Sequence, residues 1–468
     1  MAVDIVLGIK AGCLSKCNRM KCAMQQLLGR KAGANMARRV TRWIASLLVV
    51  AFSSGIPPVY ASQRSWQPLV LQASQLSFLI GWKSSSLEVM ASHHGRLEPI
   101  PFQVDQVLAD GEFKFTEPRS SKAGDPADKL GPHDEVVMMV SDFGERIADT
   151  KLLPANSFEI ELRDSLGGAN RYAYIAAVVQ PHLSARTYVN YEPGLHTMKT
   201  DSYYLTMRNE LPDSFVVEQS NNQPGKEIAR GFEAEARAPL FNLFSVRFTQ
   251  RDIRSEVLAY KTGPIRVIRK LRHRVDLGLG IHSPSVMRTD LFYRDSIDEP
   301  FVVDLPWIPA LLFGNISARA DTMLRVEPEE TLSWSDLGTA SLRLDDGTLA
   351  SNIQSHSKAD WLMLGTRSGT LVGIFLPTPA MEAVSPQLYY RGGTSSQSDD
   401  VDTRPRLGYL LSGWQRLPIG RHRFDFVLVQ VPRDYPVATL RQELRVQPAV
   451  KIHSVGPRAE AAKTGGLH

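Results

Sequence analysis

Residues 264–277 read PIRVIRKLRHRVDL. Ile265, Val267, Leu271, Val275 and Leu277 fall on one side of a two-residue period, and Arg266, Lys270, Arg272, Arg274 and Asp276 on the other. Alternation over so long a run favours a large antiparallel sheet with one solvated face over a small barrel. The same period recurs at 86–91, 99–108, 112–116, 136–140, 157–163, 171–179, 286–293, 340–344, 370–376, 407–411 and 422–431, while helical spacing is almost absent. The fold class is therefore all-β: a large antiparallel β-sandwich or supersandwich with few short helices.

Between these runs the sequence is less regular. The best helical stretch is 233–245, EAEARAPLFNLFS, which Pro239 starts or interrupts. Residues 119–133, 219–231 and 393–406 are rich in Ser, Gly, Pro, Asn and Asp and read as exposed loops. Segment 300–316 is apolar but holds Asp304, Pro306 and Pro309, which fits a buried connection and not a membrane span. Asp110-Gly111 and Asp346-Gly347 each fit a two-residue hairpin turn. In the first hairpin, Leu108 then faces Phe113 and Gln106 faces Phe115. That register puts Ile100, Phe102 and Val104 in the core and leaves Gln103 and Asp105 looking outward.

The front of the chain bears on location. Residues 36–61 carry Arg38, Arg39 and Arg42, an apolar run from Trp43 to Phe52, and small residues ending at Ala61. That is the form of a secretory signal peptide cleaved after Ala61, and the run is too short for a membrane-spanning helix. It implies a periplasmic or secreted protein with no transmembrane span once the signal is removed. Residues 1–35 read as an over-extended start ahead of Met36. The mature chain would divide into a β-sandwich region at 62–457, with a smaller N-terminal β subdomain at 62–180 and a main sandwich at 181–457. Residues 458–468 form a tail expected to be disordered.

Removing the leader changes the chemistry. Cys13, Cys17 and Cys22 all lie in residues 1–35, so the mature chain has neither a disulfide nor a thiol nucleophile. The first 61 residues hold nine of the 54 Lys and Arg and one of the 49 acids, leaving 45 bases against 48 acids. The net charge of +5 belongs to the leader, and the remainder offers no argument for nucleic-acid binding. A G-x-S-x-G elbow, a Walker A loop and an H-E-x-x-H motif are absent, and Gly278-Leu279-Gly280 lacks the third glycine of a dinucleotide loop.

Three sets of candidate site residues remain. Carboxylates crowd residues 105–149, and calcium is the one cofactor this crowding admits. An EF-hand register fails because its first and third positions would be Gln106 and Leu108. The two ends of strand 136–140 lie about 17 Å apart, so only Asp134 and Glu135, at one end, can share an ion; a plainer reading makes them solvated strand caps. A second acidic loop, Ser395 to Asp402, is usually no more than a solvated turn. The cationic set Arg266, Lys270, Arg272 and Arg274 suits an anionic sugar or sulfated polymer, against a plainer reading as an exposed face paired with acids. Trp361, beside Asp360, and Trp414, after Ser412-Gly413, are the tryptophans nearest loops and the candidate platforms for sugar rings. Asp105 joins these as the acid that the hairpin turn does not explain.

The pairing of LEPIPFQVDQVLADGEF with GPHDEVVMMVSDFG resembles the N-terminal pattern of secreted bacterial proteins of unassigned function. TGPIRVIRKLRHRV and GRHRFDFVLVQVP resemble strands of galactose-mutarotase-like β-supersandwiches. The resemblance implies that fold and a habit of carbohydrate binding, and it assigns no catalytic residue. The leading expectation is a protein that binds a carbohydrate or cell-envelope polymer. The alternatives are a polysaccharide lyase or epimerase using His196, His273 or His282 as base, and an accessory envelope component.

Overall fold

The computed structural model describes residues 64–115, 129–164, 168–218, 225–240, 244–278, 281–305, 314–325, 330–337, 341–344, 357–392 and 404–455, apart from a few positions between 434 and 447. The expected leader at 36–61, the expected turn at Asp346-Gly347, the acidic stretch Ser395–Asp402 and the expected tail at 458–468 lie outside the described residues. Residues 61–468 make one compact unit built from four antiparallel sheets.

Two of the sheets are large. One runs through Ser385–Arg391, Arg406–Ser412, Ser317–Leu324, Lys226–Leu240, Leu211–Val217, Tyr203–Arg208, Thr197–Thr200 and Val189–Glu192, with Phe244–Thr249 attached to Lys226–Leu240. The other, ten-stranded, runs through Ile253–Lys261, Val267–Gly278, Val286–Phe292, Ser296–Leu305, Gly420–Val431, Thr370–Pro377, Trp361–Gly365, Thr331–Trp334 and Leu342–Arg343, with Ile281–His282 attached to Val267–Gly278. Their inner faces share one core that includes Phe215, Leu407 and Tyr409 from the first sheet and Val267, Phe292, Phe375 and Phe424 from the second. Cross-links between the sheets are specific. Tyr409 Oη donates to the Gly373 carbonyl at 2.8 Å, and Tyr203 Oη to that of Tyr293 at 2.9 Å.

The two small sheets hold the N-terminal strands. Pro68–Gln72, Glu135–Met139 and Phe102–Asp105 form one, and Ala449–Ser454, Phe158–Arg163, Arg171–Ala177, Leu87–His93 and Arg96–Pro99 the other. Leu71, Val89, Val136, Met138, Ile160 and Ile175 fill the space between them. Val137 and Met139 point the other way and belong to the core of the large sheets. Strand Glu135–Met139 is thus buried on both faces, which is why it reads as a continuous apolar run and not as an alternation.

Several expectations need correcting. Residues 226–240 form one long strand, in place of a loop ending at 231 and a helix beginning at 233. Ala, Glu and Arg favour a helix locally, but E-A-E-A-R-A also alternates strictly. The ladder Glu233↔Asp321, Ala234↔Ala320, Glu235↔Arg319 and Ala236↔Ala318 decides the matter. Residues 300–305 are not a connection but the end of strand Ser296–Leu305, which lies inside the ten-stranded sheet. The first hairpin is one residue out of the expected register: Val107 bridges Phe113, and Leu108 N–H donates to the Glu112 carbonyl at 2.8 Å. Ala109 and Asp110 make the corner, and Gly111 takes the left-handed φ of 84° that closes it.

Candidate functional site

The acid and the cations singled out from the sequence do meet, but not at an open surface. Asp105 is fully buried, and so are Gln103 and Arg266. Phe102 and Val104 pack into the small core, while Gln103 and Asp105 face strand Val267–Gly278 and the turn before it. The expected outward orientation of Asp105 is wrong because this second face is covered by the large sheet. Arg266 Nε donates to Asp105 Oδ2 at 2.8 Å and Nη1 to Tyr293 Oη at 2.8 Å, and Nη2 pairs with Glu135. Lys261 Nζ holds Asp105 Oδ1 at 2.8 Å. Gln103 Oε1 accepts the Ile265 and Arg266 N–H groups at 3.1 and 3.0 Å. Burial pushes the Asp105 carboxyl up, but the charges of Arg266 and Lys261 and the Gln103 hydrogen bond outweigh it and hold it below the usual carboxylate range.

The rest of the cationic stripe is largely paired as well. Lys270 meets Glu112, and Arg272 meets Glu256 at 2.6 Å. Arg274 stands opposite Arg254, whose own guanidinium is 3.9 Å from Asp276. Asp134 accepts the Val107 and Gly131 N–H groups at 3.0 and 2.7 Å. With Glu135 on Arg266, both carboxylates considered for calcium have protein donors, and no metal-binding group of three or more His, Cys, Asp or Glu occurs among the described residues. Trp361 is 4% exposed in a cluster with Val372, Ile374, Val427 and Trp66. Trp414 packs edge-on to Phe424, with its indole N–H on the Leu411 carbonyl at 3.2 Å. Trp361 serves the core and is not the loop platform that its neighbours in sequence suggest, while Trp414 is half-buried with one side on the core.

A different place has the form of a site. Tyr191, Pro193, His196, Glu210, Val257, Leu258, Ala259 and Tyr260 line a hollow of about 310 Å³. Tyr191 and Tyr260 meet edge to face, with centroids 5.4 Å apart. His196 Nδ1 lies 3.0 Å from Glu210 Oε1, and its side chain is half exposed. Glu210 Oε2 pairs with Arg269, whose guanidinium stands 5.3 Å from the centre of the Tyr191 ring.

The backbone around this pair is unusual. His196, Asn209 and Glu210 have φ of 52°, 51° and 62°. His196 ends the short turn Pro193–Leu195. Asn209 and Glu210 form the tight turn between Tyr203–Arg208 and Leu211–Val217, where both central residues must be left-handed. Glycine is the ordinary choice at the second position, and a glutamate there costs roughly 1 kcal/mol. Left-handed residues of this kind concentrate where side chains have work to do.

Behind the hollow, the inner face of the ten-stranded sheet is charged. Arg288 lies 2.6 Å from Asp290 and 3.6 Å from Glu299, and donates to the Glu210 carbonyl at 3.2 Å. Pro300 follows Glu299, and the ladder to Val286–Phe292 has no pairing at either residue; a proline has no N–H to give it. Burial pushes the Glu299 carboxyl up and that of Asp298, on the opposite face, up to about 7. His273 accepts or donates at Nδ1 to Ser255 Oγ at 2.8 Å. Burial, then Arg288 and Arg269, push it down to about 3, so it is neutral near pH 7 and too weak a base for the role weighed for it from sequence. His282 is exposed in the short pairing with Asp276. Of the three histidines, only His196 lines the hollow. Tyr191, Glu210, Tyr260 and Arg269 carried no motif; the Asn-Glu turn after an alternating run was the one available signal.

The chain is therefore an all-β protein of packed antiparallel sheets, with an open hollow lined by two tyrosines and a histidine–carboxylate pair. No family model and no curated protein matches it. Among solved structures it is similar to heparan sulfate lyase HepC from Pedobacter heparinus, at 11% identity over 39% of this chain and 22% of that one, with a TM-score of 0.25. The chain thus spans less than a quarter of that lyase's length. It is also similar to the Slr1438 protein from Synechocystis sp. PCC 6803, at 11% identity over 54% of this chain and 99% of that one, with a TM-score of 0.32. Likeness this distant carries no argument about function. No described helix is long and apolar enough to cross a membrane.

Proposed function

We propose that this protein binds a carbohydrate or cell-envelope polymer in the hollow formed by Tyr191, His196, Glu210 and Tyr260. The observation that carries this reading is the convergence of an aromatic pair and an oriented histidine–carboxylate pair at one open depression. Its volume falls at the small end of the roughly 300–1,000 Å³ typical of ligand pockets. Aromatic rings bury the apolar faces of sugars, and phenol and imidazole groups hydrogen-bond to their hydroxyls. The leader at 36–61 supports a periplasmic or secreted setting, and the alternating strands at 264–277 and 420–431 fit a mutarotase-like supersandwich. The reading requires no bound ion.

The test is calorimetric titration of the mature protein with neutral and acidic oligosaccharides and with envelope polysaccharides. Tyr260→Ala should weaken the best ligand about ten-fold or more, while Trp361→Phe, in the core, should leave its affinity unchanged. A flat response to every glycan would end the carbohydrate reading. A second reading, an epimerase or lyase, is favoured by His196 alone: its carboxylate contact fixes the ring as in a general acid–base pair. Solvent deuterium entering a recovered sugar, or a new unsaturated product absorbing in the ultraviolet, would support it. Tight binding with neither signal would leave a binding protein.

A further inference from the structure

We infer that the hollow selects an uncharged, hydroxyl-rich polymer and rejects uronate or sulfated chains; this rests on the carbohydrate reading above. Of the residues that line it, Glu210 is the only one with a permanent charge. Both its oxygens are engaged, Oε1 by His196 and Oε2 by Arg269. The one charged side chain that a polymer meets in the hollow is therefore a carboxylate and not a cation. The cations nearby are also committed. Arg269 is fully buried on Glu210, and Arg288 is held between Asp290 and Glu299. Neither guanidinium is thereby left free to face the hollow. On the strands that flank the hollow, Lys261 is on Asp105, Arg272 on Glu256 and Arg208 on Asp213.

Recognition of an acidic glycan depends on guanidinium or ammonium groups free to meet it, and among the described residues that line the hollow there is none. What it offers is Tyr191 and Tyr260, the apolar surface of Pro193, Val257, Leu258 and Ala259, and one imidazole. Those groups suit ring faces and hydroxyls. The arrangement runs against the sequence-based expectation that the stripe beginning at Arg266 draws an anionic polymer, because Arg266, Lys270 and Arg272 of that stripe are paired with the protein's own carboxylates.

The experiment compares β-1,4-linked glucose, mannose and galactose oligomers with their C6-oxidised forms, which share ring and linkage and differ only in the carboxylate. Binding is measured by calorimetry on the mature chain at low salt. The expected result is that a neutral oligomer binds and its oxidised form binds about ten-fold or more weakly, because its carboxylate meets Glu210 and no free cation. Glu210→Gln should narrow or invert that ratio by freeing Arg269, and His196→Gln, which keeps the charge of Glu210, should preserve it. Equal or tighter binding of an oxidised oligomer overturns this inference while leaving the carbohydrate reading intact. Failure of every oligomer, neutral and oxidised, to bind overturns the carbohydrate reading and this inference with it.

Discussion

Asp105 is fully buried against two cations, so its charged form is the one the fold is built around. Removing the charge would leave Arg266 with Glu135 as its one remaining carboxylate and Lys261 with a single carbonyl, that of Val104. Breaking a buried pair in this way costs about 3–5 kcal/mol, and Asp105→Asn should lower the urea midpoint accordingly; a loss below about 1 kcal/mol would mean that the network is dispensable. The sign with pH follows from its depressed carboxyl. The contribution is complete above the unfolded-state value near 3.8 and is lost as pH falls through the lower folded value. His273 acts earlier in the same direction. Its folded value of about 3 lies under the unfolded 6.5, so between those values the unfolded chain binds the extra proton and stability drops as pH falls. At pH 5 the difference from neutral pH is about 2 kcal/mol. Unfolding curves at pH 7 and 5 should therefore diverge more for the wild type than for His273→Asn. Equal pH dependence of the two proteins would sink this account. Asp298, raised to about 7, works in the opposite sense, which is why the comparison is made against the variant.

At the scale of elements, His196 ends a turn in the left-handed region with its side chain half exposed. Glycine is freer there, so His196→Gly should raise stability or leave it unchanged, within about 1 kcal/mol, while weakening ligand binding. A joint loss of both would make His196 a structural residue. Gly408 is the opposite case: a Cβ there would come within 2.0 Å of the Ala320 carbonyl of the neighbouring strand. Gly408→Ala should cost about 3 kcal/mol or more by parting that ladder, and a near-neutral result in thermal unfolding would contradict the register. These contrasts show what the sequence could and could not disclose. Most long alternating runs became strands, because period two survives translation into a half-buried sheet. Lys226–Leu240 was obscured because the ladder to Ser317–Leu324 overrode helix-favouring residues. Asp105 was legible as an unexplained acid but not as a buried one, since nothing in residues 100–115 announces that a second sheet covers their polar face. The hollow was invisible for the same reason: Tyr191, Glu210 and Tyr260 come together only through two hairpins and a sheet edge.

For the whole molecule, the decisive question is whether the small N-terminal sheets and the large pair behave as separate bodies. Glu135–Met139 contributes Val136 and Met138 to one core and Val137 and Met139 to the other. Gln103 accepts two N–H groups of the turn before Val267–Gly278, and Gly263 lies so close that a Cβ would be 2.1 Å from Gln103 Oε1. At the other end of the chain, Ala449–Ser454 returns to pair with Phe158–Arg163, and Glu443, fully buried, accepts the indole N–H of Trp66 at 2.8 Å. A strand shared by two cores cannot lose one without exposing apolar surface to water, so neither part has an independent boundary at which to unfold. Residues 62–468 should therefore unfold in a single transition, with tryptophan fluorescence, far-ultraviolet circular dichroism and calorimetry giving the same midpoint. Residues 62–180 expressed alone should remain unfolded or aggregate, lacking both the cover for Val137 and Met139 and the strand Ala449–Ser454. Gly263→Ala should lower the common midpoint without splitting it, because the clash falls on the contact that joins the sheets and not within either. Two resolved transitions in the wild type, or a folded and monomeric fragment 62–180, would show the interface to be a docking of separate domains, and the buried Asp105–Arg266 pair would then be a contact between domains and not part of one core.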